Sequence, residues 1–256
     1  MRSASRRLTT AATVLVIGGL ATSCGSESPP ATTTTITVFA ASTLTEAFTE
    51  IGTSFERANP GTTVRFSFGG SGELATQIGQ GAPADAYASA DEINMARLVE
   101  AGNAGRTPVV VARNTMEIIV EAGNPKGIAT VADLAAPDLV VVLCATTAAC
   151  GKLAATVLQG ANVTVVPKSL ETSVKAVVAK VTTGEADAGI VFVTDVLAAG
   201  SKAAGVRIAA AQNVITDHLM VVTKQATNAA GASAFVAYVA GPQGQAILAK
   251  YGFVAP

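Results

Sequence analysis

The chain has 256 residues, half of them hydrophobic and 14% charged, with 17 basic and 18 acidic side chains for a formal net charge of −1. That length suits one large domain or two lobes, and no apolar run reaches the roughly 18–20 residues that a bilayer span requires, which predicts a globular body. With no tryptophan, 4% aromatics and no basic excess, the chain has none of the electrostatic footprint of a nucleic-acid binder, so no nucleic-acid partner is expected.

Residues 1–23 read as an export signal. Arg2, Arg6 and Arg7 precede the apolar run AATVLVIGGLA, and small residues lead up to Cys24. Their removal leaves 14 basic against 18 acidic side chains, a net charge of −4. The ending LATSCGS resembles a bacterial lipobox, although Ala21 stands where that pattern has leucine. Cys24 is therefore expected to carry lipid and anchor the protein on the outer face of the cell membrane, with cleavage by an ordinary signal peptidase as the alternative. Residues 24–35 are polar and rich in Pro and Thr, as suits a lipid-anchored flexible tether. Setting Cys24 aside leaves Cys144 and Cys150 as an even pair in an exported chain. A disulfide across CATTAAC is expected, and two buried free thiols are the alternative. One histidine, His218, and no zinc-like ligand spacing argue against a metal site.

From residue 36 strands and helices alternate. ITVFAAS is a buried strand, the next helix puts Leu44, Phe48, Ile51 and Phe55 on one face, and TTVRFSF is a second strand. GELATQIGQG and EINMARLVEAG read as helices on either side of the strand ADAYASA. A second set begins near EIIVEAG, with LVVVLC, NVTVVP and DAGIVFV as strands and GKLAATVLQG and SVKAVVAKVTTG as helices. HLMVVT returns as a strand, and two helices close the chain. The rhythm predicts a parallel α/β architecture in two lobes.

The turns after these strands carry the chemistry. Ser42 and Thr43 stand at a helix start, where Thr43 and Glu46 fit a capping box. Ser71 stands at the next start, among glycines that let the backbone approach whatever lies above it. TTAACGKL is a third such turn and LETSVKAVV a fourth, with Lys152 and Lys175 set inside their helices. Helix starts offer free N–H groups and partial positive charge, so several aimed at one point make an anion site without any cationic side chain.

The stretches ITVFAASTLTEAF, FGGSGELATQIGQGAPADAYASAD, GEADAGIVFVTD and GPQGQAILAKYGF together resemble the molybdate-binding receptors of bacterial ABC importers, the ModA family, from about Ile36 to Pro256. The resemblance implies a two-lobed type II periplasmic-binding-protein fold, with residues 36–112 and 218–256 in one lobe, 113–217 in the other, and the ligand in the cleft between them. It implies Ser42, Thr43, Ser71, Cys150 and Val174 as the residues that bind molybdate or tungstate, a membrane permease as partner, and a monomer with no cofactor, no catalytic activity and no metal beyond that in the oxyanion. Many relatives carry a tyrosine where Phe192 stands. Phe192 cannot donate, so one hydrogen bond is missing or Thr194 or a water replaces it. The disulfide, unusual for the family, is expected to stiffen the loop that presents the Cys150 amide.

Two other readings compete. Gly70, Gly72 and Ala75, with Asp91 further on, approach the dinucleotide fingerprint, but no hydride-transfer constellation accompanies them and no G-x-S-x-G turn is present. A receptor of the same fold for sulfate or another small oxyanion is the nearer alternative. His218 is expected to be structural, and Asp85, Asp91, Asp187 and Asp195 to be caps or loop acceptors.

Overall fold

A computed structural model describes residues 34–256. The expected signal segment 1–23, the lipidation site Cys24 and the tether as far as residue 33 lie outside the described residues. Thr34 and Thr35, assigned above to the tether, instead open strand β1 (Thr34–Ala41) and pair with Thr62 and Thr63 of β2 (Thr62–Gly69).

β1 runs parallel to β2 on one side and to β3 (Ala86–Ser89) on the other. Residues Val38–Ala41 are all buried, as expected of a parallel strand covered on both faces. β9 (Ile215–Val222) lies antiparallel to β3. β4 (Val109–Glu121) then joins two half-sheets: residues 109–115 pair with β9, whereas residues 116–121 pair with β7 (Ala188–Phe192) and β8 (Ala203–Arg207). Beyond β7 the second half continues in parallel through β5 (Val141–Cys144) to β6 (Ser169–Glu171).

The helices follow the strands. In the first half, α1 (Thr45–Ala58), α2 (Ser71–Gly79) and α3 (Glu92–Glu100) start from the carboxyl ends of β1, β2 and β3. In the second half, α4 (Ala149–Gly160), α5 (Val174–Thr182) and α6 (Val193–Ala199) do the same from β5, β6 and β7. The terminal run divides into α7 (Ala229–Ala240) and α8 (Pro242–Lys250) at Gly241, where Pro242 takes the first helical position and supplies no N–H.

The α1 face expected from periodicity is buried: Leu44, Phe48, Ile51 and Phe55 are at most 3% exposed. Phe235 of α7 meets Phe48 and Phe55 edge-on with centroids 6.3 and 5.2 Å apart. Such contacts add about 0.5–1.5 kcal/mol each beyond area burial and tie α7 back onto α1.

One expectation fails for an identifiable reason. NVTVVP forms no strand; the ladder beside β5 is instead Ser169–Glu171. Pro167 has no N–H to give, Val166 is 91% exposed, and Asn162 turns the chain with φ 54°. The second set of elements does begin near EIIVEAG, where β4 passes to β7 at Met116, but as the continuation of a strand that starts at Val109 and has a polar middle, Arg113-Asn114-Thr115. Those residues are polar because the strand changes partner there. Arg113 pairs with Asp217 at 2.9 Å, and buried Asn114 donates to Thr194 at 2.8 Å.

His218 lies in β9 opposite Ala112, fully buried, with Phe192 and Phe253 edge-on at 5.5 and 5.4 Å and neither ring nitrogen partnered. Burial pushes its imidazole down to about 3 from 6.5. The unfolded chain therefore takes up this proton first as pH falls. Stability is unaffected by His218 above about 6.5 and is lost below it at about 1.4 kcal/mol per pH unit until the folded group titrates. Urea unfolding at a series of pH values should show His218→Phe losing less stability than the parent between pH about 6 and 4, and parallel profiles would refute this.

Candidate functional site

Four helix starts meet at one small cavity between the half-sheets. Its empty volume is about 200 Å³, and Ser42, Thr43, Ser71, Cys150 and Val174 all line it, with Phe192, Gly69, Gly70 and four alanines filling the remaining wall. That figure includes space open to solvent; only about 10 Å³ can hold the centre of a water-sized sphere, far below the roughly 300–1,000 Å³ of organic-ligand pockets. The space suits a small ion and leaves no room for a dinucleotide.

The caps explain why the cavity attracts an anion. A short 3-10 turn, Ser42–Leu44, leads into α1, and neither it nor α1 is closed by a side chain. Gly70 and Ala148 occupy the cap positions of α2 and α4 and supply no acceptor. Ser173 caps α5, but from Ala176 N, which lies deeper in the helix than Val174. The first N–H groups of these helices have no intrahelical partner, and a buried donor left unpaired costs roughly 1–3 kcal/mol. Whatever occupies the cavity has to accept hydrogen bonds.

The side chains divide into donors and supports. Ser71 Oγ accepts from Ala90 N at 3.1 Å, which leaves its own proton free to point inward. Tyr87 holds the same turn from behind by donating to the Ser71 carbonyl at 2.8 Å, and burial raises its phenol well above the usual range, so it stays a donor. Thr43 behaves otherwise. Its hydroxyl donates to Asp195 Oδ2 at 2.9 Å and lies 3.2 Å from Thr194 Oγ1, so at this residue only the backbone N–H remains for a ligand. The capping box of Thr43 with Glu46 does not form, because both partners face the opposite half of the molecule. Thr194 is held between Asn114 and Thr43 and does not line the cavity, so it does not stand in for the hydroxyl missing at Phe192.

No cation lines the wall. Lys152 lies 3.1 Å from Asn94 Oδ1 and 3.7 Å from Asp91 Oδ2, while Lys175 lies 2.9 Å from the Glu46 carboxylate and 3.2 Å from Asp195. Asp195 is fully buried, and burial raises it to about 6 in spite of Lys175 and the Thr43 hydrogen bond. The reading of Asp195 as a simple cap missed this network, whose members are distant in sequence. Asp91 does cap α3 through Asn94 N, Asp187 accepts from the loop N–H of Val140, and Asp85 accepts from Thr37 N of β1 as well as from Asn228 N before α7. Among the described residues no group of three or more His, Cys, Asp or Glu side chains could hold a metal ion.

The glycines serve the opposite half of the protein. A methyl group on Gly70 would lie 2.1 Å from the Thr172 carbonyl oxygen, and one on Gly72 would lie 2.0 Å from that of Thr147. Cys144 and Cys150 are joined by a disulfide, which closes the turn that presents the start of α4.

Comparison with known proteins agrees with this geometry. A family model described as bacterial extracellular solute-binding protein matches residues 36–254. A molybdate-binding protein, ModA, of Mycobacterium tuberculosis is 43% identical over 249 residues, covering 94% of this chain and 95% of the relative. Among solved structures, the periplasmic molybdate-binding protein of Azotobacter vinelandii superposes with a TM-score of 0.73 at 22% identity, covering 86% of this chain and 99% of that one. The sulfate-binding protein SubI of Mycobacterium tuberculosis gives 0.77 at 22% identity, covering 86% of each. At such identities the structural likeness establishes the fold, and the fold serves more than one anion.

Gly72→Ala places a methyl group against the Thr147 carbonyl only when the halves are together. It should weaken molybdate binding by at least about tenfold in calorimetric titration while leaving thermal unfolding of the ligand-free protein nearly unchanged, since alanine is a better helix residue than glycine.

Proposed function

Because the chain belongs to the bacterial extracellular solute-binding family and, within it, to the ModA molybdate-binding proteins, we propose that it captures molybdate outside the cytoplasm and delivers it to the permease of an ABC importer. The observation that carries this reading is the convergence of helix starts without side-chain caps on one cavity of about 200 Å³ with no cation in its wall. Tungstate, with the same charge and tetrahedral shape, is the expected second ligand.

In this reading residues 36–112 with 218–256 form one lobe and 113–217 the other, and β4 and β9 are the strands about which they close. Ser42 and Ser71 donate through their hydroxyls, and Thr43, Cys150 and Val174 through backbone N–H groups. About six hydrogen bonds to a dianion at roughly 1.5–3 kcal/mol each give on the order of 10–18 kcal/mol gross. Ordering and closure remove part of this, leaving an affinity of roughly micromolar to nanomolar. The ion favours the closed form because it reaches both lobes only there. The protein acts as a monomer with no cofactor and no catalytic step, held to the membrane only by lipid on Cys24.

Titration of residues 34–256 with molybdate, tungstate and sulfate tests the proposal. Molybdate and tungstate should bind at micromolar concentration or tighter, and sulfate far more weakly. Strong sulfate binding with no molybdate heat would move the protein to the sulfate receptors, and binding of NAD would reopen the enzyme reading.

Phe192→Tyr adds a phenolic hydroxyl to a ring that lines the cavity. A hydrogen bond worth about 0.5–1.5 kcal/mol corresponds to roughly two- to tenfold tighter molybdate binding. Unchanged or weaker binding would mean that the hydroxyl does not reach the ion.

A further inference from the structure

Lys152 and Lys175 stand near the starts of α4 and α5, and neither lines the cavity. Each lies within the first turn or so of a second-half helix that starts at the cavity, and each reaches the first half. Lys175 of α5 places its ammonium 2.9 Å from both carboxylate oxygens of Glu46 on α1. Lys152 of α4 donates to Asn94 at 3.1 Å and lies 3.7 Å from Asp91, at the start of α3. The two ties also sit beside the two close backbone approaches. Thr172, whose carbonyl meets Gly70, is three residues before Lys175. Asn94 Oδ1 lies 3.2 Å from where a methyl group on Gly72 would stand, next to the Thr147 carbonyl.

We infer that Lys152 and Lys175 form a two-point latch across the cleft that sets how long a bound oxyanion stays, without either lysine touching the ion. The inference rests on the receptor reading above. Glu46, Asn94 and Asp91 belong to one half and both lysines to the other, so these contacts exist only while the halves are together. Asp195 belongs to the same half as Lys175 and faces it at 3.2 Å, which keeps the ammonium aimed at Glu46 when the halves part. A charged tie formed late, after the ion has docked, acts chiefly on dissociation, because truncating one partner of a desolvated pair changes the off-rate more than the on-rate. The side chains of Lys152 and Asp91 are 21% and 3% exposed and those of Lys175 and Glu46 27% and 39%, so the first tie is largely shielded from solvent, the second only partly, and the second is the more sensitive to salt.

The test is a chase of radiolabelled molybdate from the wild type and from Lys152→Gln, Lys175→Gln and the double variant, with association rates measured in parallel. Each single variant should release the ion about five- to tenfold faster, the double variant faster still, with association changed by no more than about threefold. Lys175→Arg should retain slow release. Glu46→Gln should accelerate release as Lys175→Gln does, and the two together should add nothing further, which a general loosening of the fold would not reproduce. Wild-type release rates in the double variant, with molybdate still bound, would overturn the latch and leave the receptor reading intact. A loss of affinity carried by association would overturn it too, since the lysines would then steer the ion. If the wild type retained sulfate and not molybdate, the substrate assignment would fail, and the same chase with labelled sulfate would decide the latch. Retention of neither ion would overturn both.

Discussion

Backbone N–H groups at the start of a helix have to be satisfied, and in this protein the residues that could do so locally are missing. Glycine and alanine hold the cap positions of α2 and α4, and Ser173 caps α5 away from the cavity. Much else follows from that omission. Strands carry the helix starts to one place because both half-sheets present their carboxyl ends to the same cleft, the position where open α/β sheets generally hold ligands. The wall is built of small residues, which lets N–H groups come close to whatever occupies the cavity. The cations are kept off the wall, paired with acids, so the cavity offers donors whose direction is fixed by the backbone.

This arrangement makes the site insensitive to the overall charge of the chain. Long-range repulsion would oppose an anion arriving at an acidic protein, while local dipoles act within a few ångströms and are strengthened by burial. Thr43 illustrates the division of labour. Its N–H belongs to the cavity, but its hydroxyl belongs to a chain of contacts through Thr194 and Asp195 that reaches Asn114 on the crossing strand and Lys175 on α5. A residue in the cavity wall is thereby coupled to the strand on which the two halves meet.

The alternation of strands and helices was legible because the parallel strands are buried on both faces and read as apolar runs. Ser42, Ser71, Cys150 and Val174 were legible as helix starts because small or hydroxyl residues precede amphipathic runs there, and the resemblance supplied which of them to join. Other features could not be read locally. Of the 13-residue strand β4 only the end, EIIVEAG, stood out, since its polar centre answers to partners about 80–100 residues away. Thr43 matched a capping box on spacing alone, and its real acceptor lies 152 residues along the chain. NVTVVP shows the reverse error, where β-branched residues suggested a strand that a proline and an exposed valine do not support.

Gly70 and Gly72 were first read as giving room to a ligand, but their nearest neighbours are the carbonyl oxygens of Thr172 and Thr147 on the other half. Contact of main chain with main chain is a hard stop. Side chains can change rotamer to let two surfaces slide nearer, whereas peptide planes held in a helix start cannot. The cage therefore has a minimum gauge set by the backbone, below which it cannot shrink around a smaller ion. In the proposed receptor, discrimination by ionic radius then belongs to the two glycines as much as to the donors in the wall.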